Sequence, residues 1–255
     1  MSVLIAIDQG TTSTRTVAYD KDLNIVYSEQ QEYSLQYPQD GWVEIDPLEL
    51  MQSVYGTLDP VLNSCPQITG VGITNQRETT LVWDADSGEP IYNAIVWQDR
   101  RTADECLRLK EAGFEKSIKT KTGLLLDPYF SATKISWILD NVQGARAKAD
   151  KGKLRFGTVD TFLLWQLSEG SIFKTDVTNA SRTNIYNIHA KEWDDDLLKI
   201  FNVPRSMLPE VHASDASFGM FERNNKNLKI TGVIGDQQSA LVGQRCFEPG
   251  EMKAT

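Results

Sequence analysis

Val3-Leu4-Ile5-Ala6-Ile7-Asp8-Gln9-Gly10-Thr11-Thr12-Ser13-Thr14-Arg15-Thr16-Val17-Ala18-Tyr19 decides the architecture. Residues 3–7 form a continuous apolar run, the pattern of a strand buried on both faces. Gly10 permits a tight turn, and Thr16 to Tyr19 reads as the returning strand. Asp22 and Asn24 punctuate a second turn, and Ile25 starts a third strand. An opening antiparallel meander excludes the doubly wound nucleotide folds, which place a helix directly after the first strand. The first turn is also rich in polar groups. Asp8 ends a buried strand, four hydroxyl residues follow Gly10, and Arg15 adds a positive charge. Such a set can hold a phosphate, leaving Asp8 for a Mg²⁺ bound largely through water. The same residues would also make an ordinary polar hairpin. The standard phosphate fingerprints are missing, because Gly152-Lys153 is followed by Leu154 and no GxGxxG follows a strand.

Working outward, Asp46, Pro47 and Glu49 form a helix start with a capping-box pattern. Leu48, Met51, Tyr55, Leu58 and Leu62 then recur at helical spacing. A buried strand is expected from Ile68 to Ile73, and a hairpin from residues 81–83 and 91–97. Helices are expected over 102–112, 131–142 and 161–167, the last with Asp160 as its N-cap. A final strand, Ile230 to Ile234, runs into Gly235-Asp236-Gln237 and a helix. Asp194 to Asp196 reads as an acidic first helical turn. The order predicts an α/β domain with a mixed sheet.

Three further stretches carry polar groups suited to chemistry. Arg77 and Glu78 stand together at a strand end. In extended chain they would point to opposite faces, whereas a turn would bring both to one side. A donor beside an acceptor suits a polyol, and a strand-end ion pair is the plainer alternative. Trp97 and Tyr129 could form an apolar wall with a polar tip, or could be core aromatics. Asp236 lies between a strand and a helix start. It reads either as an N-cap or as the base that orients a hydroxyl during phosphoryl transfer, a reaction that asks little of base strength.

The 255 residues carry a net charge of -9 and 40% hydrophobic residues. The acidic balance argues against a general nucleic-acid or anionic-membrane surface. Cys65, Cys106 and Cys246 are widely spaced and odd in number, which suggests reduced thiols rather than disulfides or a zinc site. No apolar run approaches the roughly 18 residues of a membrane span. The opening residues lack the basic start of a signal peptide. The Asn179-Ala180-Ser181 sequon reads as chance. His189 and His212 lack a second ligand at metal spacing.

Taken together, these residues resemble the glycerol kinases, among the sugar and polyol kinases of the actin-like ATPase superfamily. The resemblance rests on Asp8 to Arg15, Gly41 to Pro47, Ile73 to Thr80, Asn93 to Gln98, Asp127 to Phe130, Gly157 to Asp160, Asn179 to Arg182 and Gly235 to Gln238. It covers essentially the whole chain and implies a ribonuclease H-like domain. It implies that Arg77, Glu78, Tyr129, Asp236 and Gln237 hold glycerol, with Trp97 against the carbon skeleton. Asp236 would be the catalytic base and Asp8 would approach Mg²⁺. Thr11, Thr12 and Ser13 would line the ATP phosphates, with Arg15 nearby. It further implies a cytoplasmic, homo-oligomeric enzyme making sn-glycerol 3-phosphate. Residues 1–255 would be its N-terminal domain, inactive alone, with adenosine bound by a C-terminal domain outside this sequence. The stretch Arg223 to Lys229 lacks the glycines of the family's fructose 1,6-bisphosphate loop, and no His lies between Ala213 and Thr255, so neither known form of regulation is expected. Pentulose kinases share the opening loop but not the setting of Arg77 and Glu78. A nucleotide-gated binding module would have no polyol site.

Overall fold

The computed structural model describes residues 2–254. The meander forms as the spacing predicts. β1 (Ser2–Gln9), β2 (Ser13–Tyr19) and β3 (Ile25–Glu32) are consecutive antiparallel strands. After the short β4 (Glu44–Ile45), α1 (Pro47–Ser64) leads into β5 (Gln67–Asn75), which pairs parallel to β1.

A long excursion follows, through β6 (Leu81–Asp84), β7 (Ala94–Ile95), α2 (Ala103–Glu111), α3 (Glu115–Thr122), α4 (Ser131–Asn141), α5 (Ala145–Asp150) and β8 (Leu154–Gly157). It continues through α6 (Val159–Leu167), β9 (Lys174–Asp176), α7 (Val177–Ala180), β10 (Tyr186–Asn187), β11 (Glu192–Trp193), α8 (Asp195–Ile200) and β12 (Glu210–His212). The chain then returns as β13 (Gly219–Arg223), β14 (Lys226–Gly235) and α9 (Asp236–Gly243). Among the described residues the main sheet is mixed, in the order β13-β14-β5-β1-β2-β3, with β14 parallel to β5.

Two apolar cores result. Ile5, Ile7, Val54, Leu58, Ile73, Phe162 and Val233 pack between the sheet and helices α1 and α6. Ile95, Leu109, Ile135, Ile138, Phe156 and Leu197 fill the excursion. Helix α1 is also bolted to β2 by buried hydroxyl pairs, Thr14 with Ser53 at 2.6 Å and Thr16 with Thr57 at 2.9 Å. On the opposite face of the sheet, Ala6, Gly72, Thr74 and Ile234 line an apolar groove of about 610 Å³, with Ser239 and Val242 on its rim.

Several local expectations need correction. Leu48 is 60% exposed, and the buried stripe of α1 runs through Leu50, Met51, Val54, Leu58, Val61 and Leu62. Asp46 caps Leu48 N–H as expected, but Glu49 reaches Ser34 N–H at 3.4 Å and does not close a capping box. β6 takes β8 on one edge, β7 also pairs with β4, and the expected hairpin forms on the other edge of β6 only through single antiparallel bridges, Trp83 with Pro90 and Thr80 with Ile95. The turn between them does form, with Ile91 N–H on Val82 O at 3.0 Å, but Pro90 lacks the N–H that would extend the ladder. Asp194 caps α8 as expected, accepting from Asp196 and Leu197 N–H.

Asp160 is not a cap. Helix α6 starts two residues earlier than expected, at Val159, and Asp160 is fully buried in its first turn. It accepts from Thr158 Oγ1 at 2.5 Å and Thr175 Oγ1 at 2.7 Å. Burial, and next the charge of Asp176, push its carboxyl up to about 7. A raised carboxyl stabilises the fold fully below its unfolded value of 3.8, and that contribution is lost as the pH climbs through about 7. Asp160→Asn should therefore flatten the fall in thermal unfolding temperature between those two values. An unchanged slope would show that Asp160 does not set it.

Candidate functional site

The three parallel strands end side by side. Asp8 stands in register with Thr74, and Thr74 with Ile234. The next row is Gln9, Asn75 and Gly235. Residues just past these ends must converge, and the carboxyl ends of parallel strands are where open sheets bind ligands. Arg77 and Glu78 leave β5 there, and Asp236 leaves β14.

Gly235 is the N-cap of α9 and Asp236 its first helical residue, so Asp236 is not the cap itself. Asp236 Oδ1 accepts from Gln237 N–H at 2.6 Å. Arg77 Nε lies 3.1 Å from the same oxygen, close enough for an ion pair. Its N–H is not aimed at that oxygen, so this buried nitrogen has no hydrogen-bond partner. The Arg77 stem lies across Gly235, where an added Cβ would meet Arg77 Cδ at 2.5 Å. Only glycine admits so close an approach. Asp236 keeps 40% of its side-chain surface in solvent. Asp8 is likewise exposed but crowded on its protein side. Burial, and next the charge of Asp236, raise its carboxyl, while Arg15 across the ladder opposes the rise.

Glu78 has φ 61°, a left-handed conformation uncommon for a non-glycine residue. This is the turn needed to bring Arg77 and Glu78 to one side. Its carbonyl accepts from Thr80 Oγ1 and Ser131 Oγ, both at 3.1 Å, which hold the strained residue in place. The Glu78 side chain is buried, with Arg182 Nε 2.5 Å from Oε1. Burial raises its carboxyl despite the opposing charges of Arg182 and Arg77, so desolvation outweighs the pairing.

Trp97 and Tyr129 form the expected wall, with ring centroids 5.5 Å apart. The Arg182 guanidinium lies over Phe130 at 4.9 Å and Tyr129 at 5.7 Å. Trp97 Nε1 donates to Thr11 Oγ1 at 3.0 Å, joining the aromatic wall to the glycine turn. Under the wall lies Lys134, fully buried, donating to Tyr129 O at 2.6 Å and Phe130 O at 3.3 Å. Burial lowers its amine to about 7.

The glycine turn is held from within. Gly10 N–H donates to Ser13 O at 2.9 Å. Gly10 O accepts from Gln9 Nε2 at 2.7 Å, Gln76 Nε2 at 2.9 Å and the Tyr33 hydroxyl. Of its hydroxyl residues Thr14 is buried against α1, so Thr11, Thr12 and Ser13 form the accessible rim. Ser13 Oγ accepts from Gln30 Nε2, and Arg15 Nε donates to Ser28 Oγ, each at 3.3 Å. Gln237 Oε1 accepts from Lys253 Nζ at 3.0 Å.

The structure thus gathers Arg77, Asp236 and Asp8 at the strand ends, and links Glu78, Tyr129, Trp97 and Thr11 through Arg182 and one indole bond. Sequence reasoning gave Arg182 and Lys134 no role, because no local spacing ties residue 182 to residue 78 or residue 134 to residue 129. Asn179, the sequon residue, is buried in a reciprocal amide pair with Asn75. Among the described residues no group of three or more His, Cys, Asp or Glu is placed to hold a metal, and no helix is long and apolar enough to cross a membrane.

Comparison with known proteins adds three findings. The chain is 56% identical to the glycerol kinase of Alteromonas mediterranea over 99% of this chain and 52% of that protein. It superposes on the crystal structure of Plasmodium falciparum glycerol kinase with ADP at a TM-score of 0.93 and 38% identity, covering 98% of this chain and 52% of that one. A ligand-bound xylulose kinase from Lactobacillus acidophilus shares the fold at 21% identity and a TM-score of 0.86, over 96% of this chain and 50% of that one. The chain spans about half the length of the curated relatives it matches. Its fold is the actin-like ATPase fold of the sugar kinases. With residues 3–243 matching the family's N-terminal domain, the chain belongs to the FGGY family of carbohydrate kinases.

Proposed function

We propose that this chain is the acceptor-binding half of an enzyme that transfers the γ-phosphoryl group of ATP to glycerol, giving ADP and sn-glycerol 3-phosphate. The observation that carries the reading is the Arg77–Asp236 pair at the strand ends, with a buried Arg77 N–H left without a hydrogen-bond partner. Relatives and a solved structure named glycerol kinase support it. In this reading Arg77, Glu78 and Asp236 supply donors and acceptors to the polyol hydroxyls, and Trp97 with Tyr129 covers its carbon chain. Asp236 Oδ2 accepts the proton of the attacking hydroxyl while Oδ1 stays tied to Gln237 N–H. Gln237 itself borders the same hydroxyl site.

Phosphoryl transfer depends mainly on positioning and on charge stabilisation. Thr11, Thr12 and Ser13 cradle the ATP phosphates, with Arg15 behind them. The donor set fits Mg²⁺. Two carboxylates without a third protein ligand are what an ion held mostly by water and phosphate oxygens requires. Burial, and next the charge of Asp236, raise the Asp8 carboxyl, and a bound cation would oppose both. Asp8, with Asp236 near, would hold the ion, which when bound neutralises charge on the transferred group.

Glycerol-dependent ADP formation by the protein of full relative length tests the reading. Turnover with a pentulose and none with glycerol would assign it to a sister kinase. The 255-residue chain alone is expected to show almost no turnover, because only one side of the cleft is present. Rapid turnover by this chain would refute that. Three free cysteines fit a reducing, cytoplasmic setting, and the full-length protein is proposed to be a homo-oligomer. Light scattering on that protein checks the oligomer.

A specific expectation concerns Trp97. Trp97→Phe keeps the wall but removes the N–H held by Thr11. The KM for ATP should rise about threefold to tenfold, the worth of one hydrogen bond, with a smaller change for glycerol. Equal changes in both would mean that the indole bond does not act on the phosphate turn.

A further inference from the structure

Asp176 is a fully buried carboxylate on which five donors converge. Its Oδ2 accepts from Thr178 N–H at 3.0 Å, Thr178 Oγ1 at 2.6 Å and Ser214 Oγ at 2.7 Å. Its Oδ1 accepts from Asn179 N–H at 2.9 Å and Asn179 Nδ2 at 2.8 Å. A hydroxyl has one hydrogen, and Thr178 spends its own on Asp176. The Thr178 lone pair must therefore receive, and the group it receives is Gly235 N–H, at 2.8 Å. By taking the hydroxyl hydrogen, the carboxylate fixes the rotor and leaves a lone pair facing Gly235 N–H.

Gly235 is the residue before Asp236, and its other side is covered by the Arg77 stem. The 176–179 turn is in turn anchored to β5 by the Asn75–Asn179 amide pair. A second arm reaches Asp236 from the sheet. Thr74 Oγ1 donates to Ser239 Oγ, and Ser239 Oγ to Asp236 O, each at 2.9 Å. The peptide units before and after the Gly235–Asp236 link are thus each held by an oriented hydroxyl, Thr178 on Gly235 N–H and Ser239 on Asp236 O.

We propose that Thr178 is a positioning residue for Asp236, its hydroxyl locked by Asp176 so that the Gly235 peptide, and with it the Asp236 carboxylate, is held in one direction. Thr178 itself touches neither acceptor nor phosphate. The proposal rests on the reading of Asp236 as the base that orients the acceptor hydroxyl. Small errors in such alignment are costly, since a shift of about 1 Å lowers rates by about a hundredfold.

The test uses the protein of full relative length, with glycerol and ATP as substrates. Thr178→Val keeps the shape but removes both donor and acceptor. It should lower kcat by about tenfold to a hundredfold with a smaller change in the KM for glycerol. Thr178→Ser, which restores the hydroxyl, should return kcat to within about threefold of wild type. In an Asp236→Asn background Thr178→Val should cause no further loss, since its effect runs through the carboxylate. Should Thr178→Val fail to fold, Thr178→Ala carries the same expectations. A Thr178→Val kcat equal to wild type overturns the proposal. So does an equal loss in the Asp236→Asn background, or a loss that serine does not repair. A wild type that turns over no glycerol sinks the functional reading and this proposal with it, whereas an active wild type with an unaffected variant sinks this proposal alone.

Discussion

Asp236→Asn is expected to lower kcat by about a hundredfold or more while leaving glycerol affinity nearly unchanged. The asparagine keeps the size of the side chain and can still accept the Gln237 N–H through its amide oxygen. It cannot take a proton from the attacking hydroxyl. The substitution also removes the charge 3.1 Å from Arg77 Nε, whose N–H is already without a hydrogen-bond partner. Arg77 stays in place because its stem is wedged against Gly235 and its Nη1 donates to Gln238 Oε1 at 3.2 Å. Steady-state kinetics together with calorimetric glycerol binding separates the two effects. Loss of binding with kcat intact would make Asp236 an acceptor-holding group rather than a base.

Arg182→Met should be the most damaging change to stability around the site. Glu78 is buried at a left-handed turn and Arg182 is the guanidinium in contact with it. Breaking a buried ion pair from one side leaves an unpaired charge, at a cost of about 3 kcal/mol or more. For a chain of this size that corresponds to roughly 10 °C in unfolding temperature. Glycerol binding should fall as well, because the same guanidinium covers the faces of Tyr129 and Phe130. Adding Glu78→Gln to Arg182→Met should recover part of the stability, since a neutral amide tolerates burial better than a lone carboxylate. A double variant less stable than Arg182→Met would show that Glu78 is not the source of the loss.

The meander, the strand β5 and the final strand into Asp236 were legible because each rests on a local signal. These are an apolar run, a glycine or Asx turn, and a strand-to-helix switch. Asp8, Arg77 and Asp236 were legible for the same reason, as polar residues stranded at the ends of apolar runs. Met51, Leu58 and Leu62 of the expected α1 stripe are buried and Tyr55 is half-buried against the core, while Leu48 is exposed. The contacts that select Leu50 and Val54 over Leu48 belong to the sheet, and helical spacing alone cannot choose among neighbouring faces. The expected hairpin forms but is thinned at Pro90, which lacks a donor, and the β8 strand on the other edge of β6, some seventy residues later, carried no local signal. Arg182 and Thr178 were invisible because their partners, Glu78 and Gly235, are distant in sequence and meet only once the excursion folds back. The left-handed turn at Glu78 carries no glycine or asparagine to announce it.

The bond between the Trp97 indole and Thr11 has a consequence for anyone wishing to change what the proposed kinase accepts. Shrinking the aromatic wall is the obvious way to admit a longer polyol. On the proposed reading the wall is also a strut of the phosphate turn, so a smaller residue at 97 would enlarge one site and loosen the other. Breadth of acceptor and grip on the donor would then be traded against each other at a single position. A redesign that keeps an N–H pointing at Thr11, from a shorter side chain or a repositioned neighbour, is the route by which the two could be varied apart.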